Sequence, residues 1–127
     1  MSNILITSAG RRVELVRSFQ IELKKKFLNS KVYTAEAKPE WASACRISDG
    51  FFTIPRVDSE NYINSILELC IKHEIKIVIP TIDTELLVLS NAKELFLLNS
   101  IHIIVSDFEL ITKCRDKRKT NKLFSDL

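Results

Sequence analysis

Short runs rich in β-branched residues alternate with longer stretches of helical periodicity. This alternation constrains the fold more than any other feature of the sequence. Asn3–Thr7 (NILIT) reads as a buried strand. Over residues 12–28, Leu15, Val16, Phe19, Leu23 and Phe27 recur at helical spacing, with Lys24, Lys25 and Lys26 as a solvated, dipole-complementing end. Residues 31–36 form a second strand, 41–47 a short, weak helix after Pro39, and 51–54 a third strand stopped by Pro55. Asp58 or Ser59 is the expected cap of a helix whose apolar face holds Tyr62, Ile63, Ile66, Leu67, Cys70 and Ile71. A strand at 76–79, one leucine-rich helix at 84–98 and a strand at 101–105 follow. Ser106 and Glu109 make a capping-box pattern, and 116–127 reads as helical.

Strands separated by helices of this length imply a parallel sheet covered on both faces. With right-handed crossovers the expectation is an α/β, three-layer, Rossmann-like, doubly wound five-stranded parallel sheet in the order 3-2-1-4-5. Ile4, Leu5, Ile6, Val32, Ile77, Val78, Ile103 and Ile104 are its expected buried centre.

Composition narrows the function classes. At 127 residues and 46% hydrophobic, the chain is one domain able to bury a core, and disorder is excluded. No apolar run is long enough to span a bilayer and no signal peptide opens the chain, so a cytoplasmic location with no membrane partner is expected. Three scattered cysteines without a CxxC fit a reducing compartment. The net charge of +3 is concentrated between Lys113 and Lys122, so a nucleic-acid-coating surface is not expected.

In an open parallel sheet, ligands bind beyond the carboxyl ends of the strands. The residues following each strand there are Ser8, Gly10, Arg11 and Arg12, then Glu36, then Arg56, then Thr81, Asp83 and Glu85. The first loop invites an anion reading, with helix N–H groups and two arginines. A dinucleotide fingerprint would want glycines where Ser8, Arg11 and Glu14 stand, and this argues against NAD. Glu36 stands where a ribose-binding acid is expected, although a solvated strand-end carboxylate reads equally well. Asp83 and Glu85 read as caps of the helix they begin or as partners of a substrate amine, capping being favoured for Asp83. His73 and His102 lack ligand-spaced companions, so neither a metal site nor a catalytic residue is assigned. Cys70 reads as core, and Trp41 either as a stacking surface for a ligand or partner or as an ordinary packing residue, packing being favoured.

Three stretches together resemble a known family: NILITSAGRRVELVR at 3–17, IPRVDSENY at 54–62 and IVIPTIDTEL at 77–86, with CRDKRKT at 114–120 behind them. They are similar to the N-terminal, pre-ATP-grasp domain of ATP-grasp ligases such as the carbamoyl-phosphate synthase large subunit. The resemblance implies a pre-ATP-grasp domain at 1–115 and, at 116–127, the start of a connection to an ATP-grasp module, with the chain cut at a domain boundary. In such enzymes ATP cleavage is coupled to acyl-phosphate formation and ligation of a carboxylate to an amine. The lysines that grip ATP and the acids that hold magnesium come from that module. This chain alone is then expected to be non-catalytic, to hold no cofactor of its own and to bind ATP no tighter than about millimolar. Its partners would be the ATP-grasp module of the same polypeptide and small carboxylate or amine substrates, with a homodimer allowed. Ser8, Gly10, Arg11, Arg12, Glu36, Arg56, Thr81, Asp83 and Glu85 would face the cleft on the substrate side. Two other readings remain: a self-contained Rossmann-type nucleotide-binding or regulatory domain, and an interaction module that uses the basic tail.

Overall fold

The computed structural model describes residues 3–104. Five parallel strands, β1 (Asn3–Thr7), β2 (Val32–Glu36), β3 (Gly50–Thr53), β4 (Ile75–Pro80) and β5 (His102–Ile103), form one sheet in the order β3-β2-β1-β4-β5. This is the doubly wound α/β arrangement that the alternation of segments predicts. The first crossover is α1 (Val13–Lys26), and α2 (Ser43–Ile47) follows β2. α3 (Tyr62–Lys72) follows β3, while α4 (Asp83–Asn91) and α5 (Lys93–Leu98) lie between β4 and β5.

Side-chain alternation divides the interior into two layers. Ile4, Ile6, Val32, Ile77 and Ile79 pack with Val16, Phe19 and Leu23 of α1 and Ala44 of α2. On the opposite face Leu5, Ala35 and Val78 pack with Tyr62, Ile66 and Cys70 of α3, Leu89 of α4 and Phe96 of α5. A register shift between Asn3 and Ile4 places Ile75 in the same layer as Val78, against simple alternation. Burial of each large side chain contributes roughly 1.5–3 kcal/mol, so the two layers supply most of the driving force. Of the expected centre, Ile4, Leu5, Ile6, Val32, Ile77, Val78 and Ile103 are buried, while Ile104 is only partly so.

Four local expectations are corrected. The helix expected at 84–98 is two helices meeting at Ala92, whose N–H bonds to the carbonyls of Leu89 and Ser90. Ser90 and Asn91, whose side chains compete with the backbone, make this the weak point of the segment. Neither Asp58 nor Ser59 holds the cap position of α3, although the Ser59 hydroxyl accepts the Asn61 N–H at 3.2 Å just ahead of it. A turn from Arg56 to Ser59 intervenes, and Asn61 takes the cap position with no side-chain bond. The weak helix at 41–47 is a 3-10 turn, Pro39–Trp41, followed by α2. β5 spans only His102–Ile103, and Val105, the capping-box residues Ser106 and Glu109, and 116–127 lie outside the described residues.

Candidate functional site

The register aligns Thr7 with Ala35 and Pro80, and Glu36 with Thr53, so the loops after β1 to β4 open on one edge of the sheet. The predicted residues separate there into two groups joined by the Ser8–Arg12 loop.

The inner group is a buried knot around Glu85, which is 1% exposed. Its Oε1 accepts hydrogen bonds from the Ser8 hydroxyl at 2.5 Å and the Tyr62 hydroxyl at 2.7 Å, and its Oε2 accepts one from Thr7 at 3.0 Å. Three hydroxyl donors thus take the place of a cation. Burial, and then the neighbouring Glu85 carboxylate, push the Tyr62 hydroxyl far above its ordinary pKa, so it stays a donor. The Thr81 hydroxyl lies 2.8 Å from the carbonyl oxygen of Thr7 and 2.6 Å from that of Ser8, donating into both. Ser8 has a φ of 51°, a left-handed conformation uncommon for a residue with a side chain. Its N–H donates to Ala35, its hydroxyl to Glu85, and its carbonyl accepts from Thr81. Every polar group of the strained residue is therefore engaged.

Glu85 is thus no helix cap. It sits in the first turn of α4 but turns inward, since its position on the helix face toward the sheet points it at β1 and α3. Asp83 does not cap either: Ile82 holds the cap position without a side-chain bond, and Asp83 is exposed.

The outer group lines a cleft of about 730 Å³ between the ends of β2 and β3, within the range of small-molecule sites. Gly10, with φ of 56°, donates its N–H to Glu36 Oε1 at 2.6 Å, and its carbonyl accepts from Ala44. Burial raises the Glu36 carboxyl above its ordinary pKa. The Gly10 N–H opposes the rise and the Glu85 charge adds to it. Arg56 lines the same cleft, and among the described residues its one ion pair is with Asp58 at 3.9 Å, with both side chains exposed. Such a pair holds the guanidinium weakly.

Trp41, for which stacking on a ligand was the less favoured reading, and Lys38, which was not singled out from the sequence, also line the cleft. Trp41 is 77% exposed, a correction to its expected packing role. The buried ring of Pro39 anchors the 3-10 turn and leaves the indole outside. A tryptophan two residues after a buried proline at the end of a strand was the available signal. Tyr62 and Thr7 were likewise missed, because periodicity assigns one to a helix face and the other to a strand.

Arg11 and Arg12 are exposed at the entrance to α1. The loop is a poorer anion cradle than its sequence suggests, because the Gly10 N–H goes to Glu36 and the Arg12 N–H to the carbonyl of Ala9. His73 ends α3 with its ring 4.6 Å from Phe52 and 5.6 Å from Tyr33, centroid to centroid. Among the described residues no three histidine, cysteine or acidic side chains gather as a metal site. None of the described helices is long and apolar enough to cross a membrane.

No curated protein matches the chain. Residues 4–104, almost all of the described domain, match the family model of the PylC-like N-terminal domain. The chain therefore belongs to the PylC-like N-terminal domain family, a family of pre-ATP-grasp domains.

Proposed function

We propose that this chain is the substrate-side N-terminal domain of an ATP-grasp carboxylate–amine ligase, similar in plan to the carbamoyl-phosphate synthase large subunit. The family match over the described domain carries the reading. In the implied reaction a carboxylate oxygen takes the γ-phosphoryl group of ATP, and ADP leaves. The amine nitrogen then attacks the acyl carbon, phosphate departs and the amine gives up a proton.

ATP and magnesium belong to the ATP-grasp module in this reading. The residues here fit neither the triphosphate nor the metal: the Ser8–Arg12 loop has no lysine, both Glu85 oxygens are taken by hydroxyl donors, and among the described residues no three acidic, histidine or cysteine side chains gather. The domain's own contribution is placement. The Glu85 knot fixes the backbone of Thr7 and Ser8, and so sets where Arg11 and Arg12 emerge. Two exposed guanidiniums there attract an anionic substrate and can pair with a carboxylate through two bonds. Exposed Asp83 offers a counterpart for an amine. A cytoplasmic location fits ATP-dependent ligation.

The test is a longer protein carrying the native region downstream of Leu127. Phosphate release should require magnesium, a carboxylate and an amine together. Arg12→Ala should raise KM for the carboxylate several-fold while leaving KM for ATP nearly unchanged. ATP turnover that ignores both acid and amine, or a longer protein with no ATP-binding module, overturns the assignment.

A further inference from the structure

We propose that the cleft between the ends of β2 and β3 is a ribonucleoside site, taking a ribonucleoside or its 5′-monophosphate, with the ribose hydroxyls on Glu36 and the base against Trp41. This deepens the ligase reading at the outer end of its substrate edge. It rests on that reading only for the edge of the sheet used.

The acid is placed for a diol. Glu36 closes β2 beside the turn after β1, where doubly wound folds present a carboxylate to ribose hydroxyls. Oε1 is fixed by the Gly10 N–H, and Oε2 has no hydrogen-bond partner among the described residues. The carboxylate is therefore held in one orientation with acceptor capacity left over.

The rest of the cleft suits a flat ring. Trp41 is 77% exposed, although an indole ordinarily buries most of its surface. The turn that carries it is held: the backbone N–H of Trp41 donates to the Lys38 carbonyl, that of Ala42 to the Pro39 carbonyl, and Pro39 is buried. Buried Ile54 and half-buried Pro55 line the same cleft and add apolar surface to it. An aromatic base gains from both surfaces, and stacking tolerates any base.

The same geometry limits the phosphate tail. A pyrophosphate needs a glycine-rich turn with free N–H groups. Here Ser8, Arg11 and Glu14 stand at the glycine positions, and the N–H groups of Gly10 and Arg12 are engaged. Lys38 and weakly paired Arg56 at the mouth suffice for a single phosphate. A nucleoside or monophosphate fits, whereas a dinucleotide or triphosphate gains nothing further.

Trp41 is the only tryptophan of the chain, so its emission reports the cleft directly. Titration of the 127-residue protein with adenosine should quench it saturably, and AMP should bind several-fold more tightly at low salt. 2′,3′-Dideoxyadenosine should bind at least about tenfold more weakly, as expected for losing hydrogen bonds to a charged acceptor. ATP should bind no tighter than AMP. Glu36→Gln keeps an acceptor for the Gly10 N–H, so it should fold normally yet lose the preference for the ribose hydroxyls. Calorimetry on Trp41→Ala should show adenosine binding reduced at least tenfold. Absence of saturable quenching up to about 10 mM adenosine overturns the proposal. So does equal binding of the dideoxy compound, or quenching by a simple α-amino acid in its place. None of these results depends on ligase activity, and loss of ligation in the longer protein leaves them unchanged.

Discussion

Replacing Glu85 with alanine tests whether the hydroxyl–carboxylate knot holds the site together. The substitution removes the acceptor of three hydroxyls, buried Thr7 at 3.0 Å, half-buried Ser8 at 2.5 Å and buried Tyr62 at 2.7 Å. A buried donor left without a partner costs about 1–3 kcal/mol. Water entering the space vacated by the side chain brings each toward the lower end. The opposing effect is release of a carboxylate buried without a cation, which the three donors already compensate. The balance is a loss of about 3–4 kcal/mol, a large part of the roughly 5–15 kcal/mol that holds a domain folded. Glu85→Gln should lose only about 1–2 kcal/mol, since hydroxyls rotate to accept from the amide. Tyr62→Phe, which keeps the ring in the core, should lose a similar amount. Urea unfolding followed by circular dichroism measures all three, and the Tyr62→Phe/Glu85→Ala cycle isolates the pair with an expected coupling of about 1–2 kcal/mol. Glu85→Ala within about 1 kcal/mol of the parent, or an additive cycle, would refute the reasoning: desolvation would then outweigh the hydrogen bonds.

The remaining predictions concern neighbouring groups. The Glu36 carboxyl is raised in the folded state, so its contribution to stability is full below its unfolded pKa and is lost as pH rises through the folded one. Glu36→Gln should therefore gain stability relative to the parent as pH rises above about 4, and an identical pH profile for the two would count against this. Burial pushes the Cys70 thiol up to about 12 and raises Cys45 as well. A thiol reagent should thus find at most one fast-reacting cysteine per native chain, Cys114 lying outside the described residues, and a second fast thiol contradicts the packing. Gly10→Ala should lose about 1–2 kcal/mol from its φ of 56° alone, because an added Cβ would meet nothing nearer than 3.9 Å. Thermal unfolding of that variant should show a loss of several degrees, and an unchanged midpoint would mean that the turn relaxes.

Burial on both faces gave the central strands β1 and β4 a continuous apolar signature, which is why the central residues could be read from the sequence, while the strand order followed from the alternation and the right-handed crossover rule. What escaped that reading depends on distance in space. Glu85 reads as a first-turn acid because such acids complement the helix dipole. Only the fold brings Thr7, 78 residues away, and Tyr62, 23 residues away, to its two oxygens. The helix break at Ala92 escaped for another reason: leucines continue on both sides of it, and apolar periodicity carries no record of one poorly formed turn. Trp41 was misread because composition says that tryptophans pack, whereas a buried proline two residues earlier fixes the backbone so that the ring faces outward.

The two groups at the edge are mechanically linked, which decides what a mutation in one does to the other. Ser8 belongs to the Glu85 knot, Gly10 holds Glu36, and only buried Ala9 separates them. Both flanking residues occupy left-handed backbone, so neither can shift without changing the direction of the chain between them. A substitution that loosens Ser8 therefore moves the N–H that orients Glu36, although Ser8 does not line the cleft. Ser8→Ala removes one donor to Glu85 and should also weaken whatever binds at Glu36, whereas Lys38→Ala should act on the cleft alone. Equal and purely local effects of the two would mean that the loop is not the rigid connection its hydrogen bonds describe.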